Sequence, residues 1–193
     1  IAAAWLVPRI GKFRALHPDI DVRISTTDQV IDFLSDGIDM ALRYGTGPYP
    51  GMEKVLLMNE TLFPVVSPSL IEKFGSLDKP ADLVRFPLLH DDMRDDWGVW
   101  MEAAGVSGID VSRGLSFTHS VHVQQAAVAG EGVALGRSVL TADDLSAGLL
   151  IKPFDIDLTA HHSYFAVYPK ANAHRPKIVA FRDWLVDEAK ETQ

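Results

Sequence analysis

Residues 22–50 read VRISTTDQVIDFLSDGIDMALRYGTGPYP, and the fold turns on how this stretch is parsed. Val22 and Ile24 alternate with polar residues, which predicts a short strand. Ser25, Thr26, Thr27 and Asp28 then offer side-chain oxygens suited to a helix N-cap. Val30, Ile31, Phe33 and Leu34 make an apolar helical face, and Gly37 suits the left-handed stop behind it. The segment 38–44 returns as an apolar strand and ends in the turn Gly45-Thr46-Gly47-Pro48. The whole is predicted as a βαβ unit with hydroxyls at a strand's carboxyl end, where open α/β sheets bind ligands.

Outward from that unit the alternation continues. Residues 1–17 predict a helix, with Leu6, Ile10, Phe13 and Leu16 or His17 on one face, Pro8 in its first turn and Trp5 partly exposed. Strands are expected at 62–67, 88–90, 115–117, 132–136, 149–152 and 163–168. Helices are expected at 70–74, 97–104, 120–129, 141–147 and 176–190, the last with Ile178, Phe181, Trp184 and Leu185 inward. Alternating strands and helices imply largely parallel sheets. Turn chemistry near Ser67 and His161 suggests two chain crossings, hence two α/β lobes: 1–67 with 163–193, and 68–162. The cleft between two lobes is the default ligand site. The sequence opens on Ile with a helix, so a fragment or processed chain is expected, with a sheet strand ahead of Ile1.

Composition narrows the function classes. The 193 residues carry 18 basic and 26 acidic side chains, a net charge of −8, which opposes gripping a phosphate backbone unaided. There is no cysteine, so disulfides, thiolate catalysis and Cys-type zinc sites are excluded. No apolar run approaches the ~18 residues of a membrane span.

The candidate chemistry is that of binding. Thr26 and Thr27 could hold a carboxylate at a helix N-terminus, or simply cap that helix. His119-Ser120 opens a helix after a strand in the same way, and one such terminus per lobe suits an acidic ligand held between lobes. His119 and His122 are three apart, but the sequence suggests no third metal ligand. Gly45-Thr46-Gly47 and Gly130-Glu131-Gly132 do not continue as G-x-G-x-x-G and sit between no strand and helix start. Asp91, Asp92, Asp95 and Asp96 could do acid–base work; a polar loop with Asp96 capping the next helix explains them as well. Arg137 follows an apolar strand and could pair with an acidic ligand or an acidic neighbour. His161-His162 is expected in a solvated connection. A helix bearing Trp5 beside a truncated edge is a candidate dimer surface.

The ordered set WLVPRIGKFRALHPDIDV, STTDQVIDFLSDGIDMALRYGTGPYPG, LFPVVSPSL, LLHDDMRDDWGVWMEAAG, SVHVQQAAVAGEGVALG and FRDWLV spans the chain. In it the chain resembles the effector-binding domain of LysR-type transcriptional regulators, closest to the branch with the glycine-cleavage activator and the β-lactamase regulator. The resemblance implies an α/β, periplasmic-binding-protein type II-like fold of two Rossmann-like lobes joined by a two-crossing hinge. It implies a small-molecule effector in the cleft, an upstream winged helix-turn-helix that alone meets DNA, pairing into dimers or tetramers, and a cytoplasmic location. By position it implies that Thr26 and Thr27 line the cleft, that Asp32 belongs to the site or its support, and that Ser120 and Tyr164 supply hydroxyls. A further hydroxyl falls before Ile1. His119 and His122 depart from the small polar residues of the β-lactamase regulators, which points away from a muropeptide. The expected effector-binding set is Thr26, Thr27, Asp32, Tyr44, Gly45, His119, Ser120, Val121, Arg137 and Tyr164, with no catalytic residue, metal or cofactor. The rival readings are an exported solute-binding protein of the same fold and a two-lobed lyase or transferase. The latter needs a nucleophile–base pair or a cofactor lysine that the sequence does not display.

Overall fold

The computed structural model describes residues 1–27, 32–33, 36–91 and 96–192. The chain divides into two compact units, Ile1–Glu60 with Ala160–Gln193 and Thr61–Thr159. The first crossing lies at Glu60/Thr61 rather than near Ser67, because the strand Thr61–Val65 (β3) pairs wholly within the second unit.

In the first unit a π-helical stretch, Ala2–Leu6, runs into α1 (Val7–Leu16), with Pro8 near the junction where the hydrogen-bond spacing changes. Trp5 is not partly exposed: it is 0% exposed and its indole N–H donates to Thr192 Oγ1 at 2.9 Å. That anchors the π-helical stretch to the last helix, α6 (Pro176–Thr192). Phe13 packs at 4.9 Å from Phe181 and 5.3 Å from Trp184, while Leu16 of the expected apolar face is 67% exposed. Lys12 bonds the buried Glu188 carboxylate at 2.9 Å, so an ion pair closes the same seam.

The sheet of this unit has the order β1–β8–β2, from Ala41–Gly45 (β1), Met52–Met58 (β2) and Ser163–Pro169 (β8), and both ladders are antiparallel. This corrects the parallel expectation. Sequence alternation reports only local connectivity, whereas β8 follows the whole of the second unit in the chain and inserts between two strands that neighbour each other in sequence. Residues 22–24 form no ladder, and Ile24 is 39% exposed. A strand needs a partner for its backbone groups, and among the described residues none is bonded to this segment, so the opening β of the expected βαβ unit is absent. Of the helix that follows, Asp28, Val30, Ile31 and Leu34 lie outside the described residues. A turn does close at its end, where the Asp36 amide donates to the Asp32 carbonyl at 2.9 Å before Gly37 at φ +63°. β2 was not foreseen; it is an edge strand, exposed at Glu53 and Lys54 and buried at Leu57 and Met58.

The second unit is a mixed five-stranded sheet of order β5–β4–β6–β3–β7, with β4 (Leu88–His90), β5 (Leu115–Ser116), β6 (Val133–Arg137) and β7 (Leu158–Thr159). β4 runs parallel to β5 and β6, and β3 runs antiparallel to β6 and β7. Successive residues of a strand point to opposite faces. Leu88 and Val133 therefore join Val66, Leu70, Leu83, Trp97, Trp100 and Phe154 on one face, while Leu89 and Ala134 join Phe63, Val65, Val123, Ala127 and Leu150 on the other. Burial on both faces explains why GVALG reads as a continuous apolar run. The helices are α2 (Pro68–Phe74), α3 (Asp96–Ala103), α4 (Ser120–Val128) and α5 (Ser138–Ser146). Ser67 caps α2, its hydroxyl accepting from the Leu70 amide.

Three local expectations change here. Asp96 is the first residue of α3 rather than its cap. The helix expected from 141 starts three residues earlier, directly behind β6, so Thr141 sits inside α5 with its hydroxyl donating to the Arg137 carbonyl at 2.9 Å. Residues 149–152 make no strand beyond a single antiparallel bridge of Ile151 to Val66.

Candidate functional site

The site residues fall into two groups, one per unit. In the second unit three parallel strands, β5, β4 and β6, end on the same side. Asp91 follows β4, Arg137 closes β6, and Ser120 opens α4 behind β5. The topology thus delivers an acid, a base and a hydroxyl to one edge. The Ser120 hydroxyl donates to Asp91 Oδ2 at 2.7 Å. Arg137 Nε donates to Ser120 Oγ at 3.0 Å, and its Nη2 reaches Asp91 Oδ2 at 3.3 Å. Asp96 adds a second carboxylate 3.8 Å from the guanidinium. The Arg137 side chain is 5% exposed and that of Asp91 16%, so this is a partly buried polar cluster rather than a solvated surface pair.

The sequence offered Arg137 an acidic ligand or an acidic neighbour, and the neighbour is present. Asp91 was read as part of a polar capping loop; its place directly after the apolar strand Leu88-Leu89-His90 was the available signal. Asp92 and Asp95 lie outside the described residues. His119 occupies the N-cap of α4 without a side-chain cap bond and is exposed, its ring centroid 5.6 Å from that of His122. Val121 is half-buried on the same helix. Among the described residues no three His, Cys, Asp or Glu side chains gather as metal ligands would. A cavity beside Asp91, Asp96, His90 and Trp97 measures about 10 Å³, room for about one water. An effector needs more space than that.

In the first unit Tyr44 and Tyr164 are direct cross-strand partners of β1 and β8, with ring centroids 4.8 Å apart, and Gly45 pairs with Ser163. The Tyr164 hydroxyl donates to Glu60 Oε1 at 3.1 Å. Glu60 is 1% exposed, a buried carboxylate that sequence reasoning missed, since nothing in Asn59-Glu60-Thr61 marks it as buried. Next to it Ser163 donates to Asn59 at 3.1 Å, and His162 lies 5.3 Å from the Tyr44 ring. A Cβ on Gly45 would stand 2.9 Å from the Tyr49 hydroxyl, so a side chain there would displace the end of that ring. Thr26, Thr27 and Asp32 are exposed, and the Asp32 amide donates to Asp36 Oδ2 at 3.0 Å.

A family model, the LysR substrate binding domain, matches residues 1–190. This chain belongs to that family.

As a LysR substrate-binding domain it is 40% identical over its whole length to the glycine cleavage system transcriptional activator of Escherichia coli K12, and spans 63% of that protein. It is 33% identical over 97% of its length to the transcriptional activator AmpR of Citrobacter koseri, spanning 64% of it. These are the two regulators of the branch that the sequence resembled. The chain thus spans less than two thirds of the curated relatives it matches. Among solved structures, the effector domain of AmpR from Pseudomonas aeruginosa superposes with a TM-score of 0.80 at 32% identity, covering 98% of this chain and 91% of that one. The AmpR effector-binding domain of Citrobacter freundii gives 0.81 at 29%, covering 98% and 94%. A further C. freundii effector-binding domain, with a TM-score of 0.80 at 28% identity and covering 97% and 93%, carries hydroxyl-removing substitutions at a threonine, a serine and a tyrosine. The α/β, periplasmic-binding-protein type II-like class is therefore that of this LysR domain, with two sheets of which one is wholly antiparallel.

Proposed function

We propose that this chain is the effector-sensing part of a LysR-type transcription regulator, and that Thr26, Thr27, Asp32, Tyr44, Gly45, His119, Ser120, Val121, Arg137 and Tyr164 form or flank its effector site. The observation that carries the reading is the Asp91–Ser120–Arg137 cluster. It stands at the carboxyl ends of three adjacent parallel strands, where open α/β sheets hold their ligands. Membership of the family and likeness to transcriptional activators support it.

The effector is a small molecule held in the interlobe cleft, bound but not transformed. Its carboxylate belongs at the Thr26–Thr27 loop; at the start of α4 the helix already has an acid, Asp91, beside Ser120. Binding works by favouring one of two arrangements of paired domains, which requires unequal affinity for the two. DNA contact belongs to a winged helix-turn-helix outside this chain, in keeping with a net charge of −8. The regulator acts in the cytoplasm as a homodimer or tetramer.

A thermal melt against amino acids, small carboxylates and cell-wall peptides tests this. A ligand at about a hundredfold over its Kd adds roughly 2.7 kcal/mol, a rise of roughly 5–10 °C for a chain of this size. The response should be lost in Ser120→Ala and weakened in Thr27→Ala. Effector affinity unchanged in both variants refutes the site.

A further inference from the structure

We infer that Gln124 is a positioning residue for the effector site: it ties α4 to α5 one turn behind Ser120 and Arg137, and so sets where those two side chains stand. The inference deepens the proposed function and rests on its reading that Ser120 touches the effector.

The seam between the two helices lies wholly within the second unit. Residues three, four and seven apart share a helix face, so Ser120, Val123, Gln124 and Ala127 fall along one side of α4. Val123 and Ala127 bury in the core with Phe63, Val65 and Leu89. Apolar burial has no direction; it holds α4 over the sheet but does little to fix its slide along α5. The polar residues of the same side make the directional bonds. The Ser120 hydroxyl accepts from Arg137 Nε at 3.0 Å, and Arg137 is the N-cap residue of α5. One turn further along, Gln124 Nε2 donates to the Leu140 carbonyl at 2.7 Å and to Asp144 Oδ2, both on α5. The Thr141 hydroxyl in turn donates to the Arg137 carbonyl at 2.9 Å, which fixes the backbone that carries the guanidinium.

Two observations give Gln124 this role. Its amide orientation is forced, because a carbonyl and a carboxylate only accept, so the NH₂ group must face them. The fold keeps both donors engaged at the expense of a buried Oε1 that has no hydrogen-bond partner. The seam is also not closed by packing at this level: a cavity of about 10 Å³ lies among Ser120, Gln124, Arg137, Leu140 and Thr141. Close-packed side chains transmit position by contact; where a gap interrupts them, bonds set the spacing. Ser120 moves with α4 and Arg137 with α5. Slackening the Gln124 tie therefore shifts the Ser120 hydroxyl against Arg137, and with it the contact offered to the effector.

The test uses the 193-residue chain in two variants. Gln124→Met keeps length and volume and removes both donors; Gln124→Glu keeps the shape and sets acceptors against the Leu140 carbonyl and the Asp144 carboxylate. Hydrogen exchange of the Arg137 Nε–H, followed by nitrogen-correlated proton NMR, reads the bond to Ser120 with no ligand added. It should be about tenfold faster in Gln124→Met and faster again in Gln124→Glu, while the backbone amides of Leu89 and Ala134 keep their protection. A purely packing role would affect the two variants alike, since both match glutamine in volume. If Gln124→Glu does not fold, Gln124→Met alone decides. Thermal melts with amino acids, small carboxylates and cell-wall peptides give the second readout: the probe that shifts the parent chain should shift Gln124→Met by less than about half as much, in the direction of Ser120→Ala. Unchanged Arg137 Nε–H exchange in Gln124→Met overturns the inference and leaves the proposed function standing. So does faster exchange with a full probe response, provided Ser120→Ala loses that response. A full response in Ser120→Ala as well, or a parent chain that no probe shifts, overturns the effector contact and the inference together.

Discussion

Replacing Asp91 with alanine should destabilise the second unit by about 3 kcal/mol. Two bonds to Asp91 Oδ2 disappear, one from the Ser120 hydroxyl at 2.7 Å and one from Arg137 Nη2 at 3.3 Å. A hydrogen bond to a charged group is worth about 1.5–3 kcal/mol, and breaking a fully buried pair costs about 3–5 kcal/mol. Arg137 is 5% exposed and cannot regain water by a small movement, while Asp96, 3.8 Å away and 32% exposed, offers partial compensation. The low end of the buried range follows. At about 2–4 °C per kcal/mol for a chain of this size, the melting temperature should fall by roughly 6–12 °C. Asp91→Asn keeps an acceptor for Ser120 and should lose about half as much. Arg137→Met removes the cation itself, leaves behind an Asp91 that still reaches solvent, and should cost less than Asp91→Ala. The double variant Asp91→Ala with Arg137→Met should then lie well below the sum of the two singles. Urea titrations followed by circular dichroism and tryptophan fluorescence give the four stabilities, with Trp97 and Trp100 reporting the second unit. If Asp91→Ala costs under about 0.5 kcal/mol, or if the two substitutions add, the cluster behaves as an ordinary surface ion pair and the reasoning fails.

Two further outcomes test the structure away from the site. The Ser112 hydroxyl and amide both donate to Asp110 Oδ1, at 2.6 and 3.0 Å, and hold its carboxyl below the ordinary aspartate range. That interaction contributes above the unfolded-state pKa and is lost as the pH falls through the lowered folded value. Ser112→Ala should therefore move the Asp110 titration, followed by NMR, upward; an unchanged midpoint contradicts the turn. A Cβ on Gly136 would stand 2.7 Å and 2.9 Å from the two γ-carbons of Val65, where β6 presses on β3. Gly136→Ala should cost about 1–3 kcal/mol by overpacking, and pairing it with Val65→Ala should recover part of that in a denaturation series; no recovery would place the strain elsewhere.

The two groups of site residues were legible to different degrees. Ser120 announced itself as a hydroxyl opening an apolar helix behind a strand, and Arg137 as a cation ending an apolar run. Both signals are local, and both residues occupy those places. Asp91 carried the same strand-end signal but was masked by its acidic neighbours, which a capping loop explained equally well. Glu60 had no signal, since an acidic residue between two strands normally faces water. Thr26 and Thr27 were placed by a strand that the described residues do not form, so their role rests on family position and not on the ladder first expected for them.

Hydropathy period and turn residues by themselves determined where most elements lie: α1, α2, α4, α6, β3, β4, β6 and β8 are all readable, because helix and strand periodicities and caps act over a few residues. Composition by itself argued against unaided DNA binding and ruled out thiolate chemistry. Tertiary structure decided strand order and direction, since β8 must return from the second unit to pair between β1 and β2, and no local pattern encodes a partner so distant in the chain. It also decided which charges are buried. Glu60 and Arg137 became structural only when Tyr164, Ser120 and Asp91 closed around them, for desolvation depends on what the rest of the chain packs against a side chain and not on its neighbours in sequence.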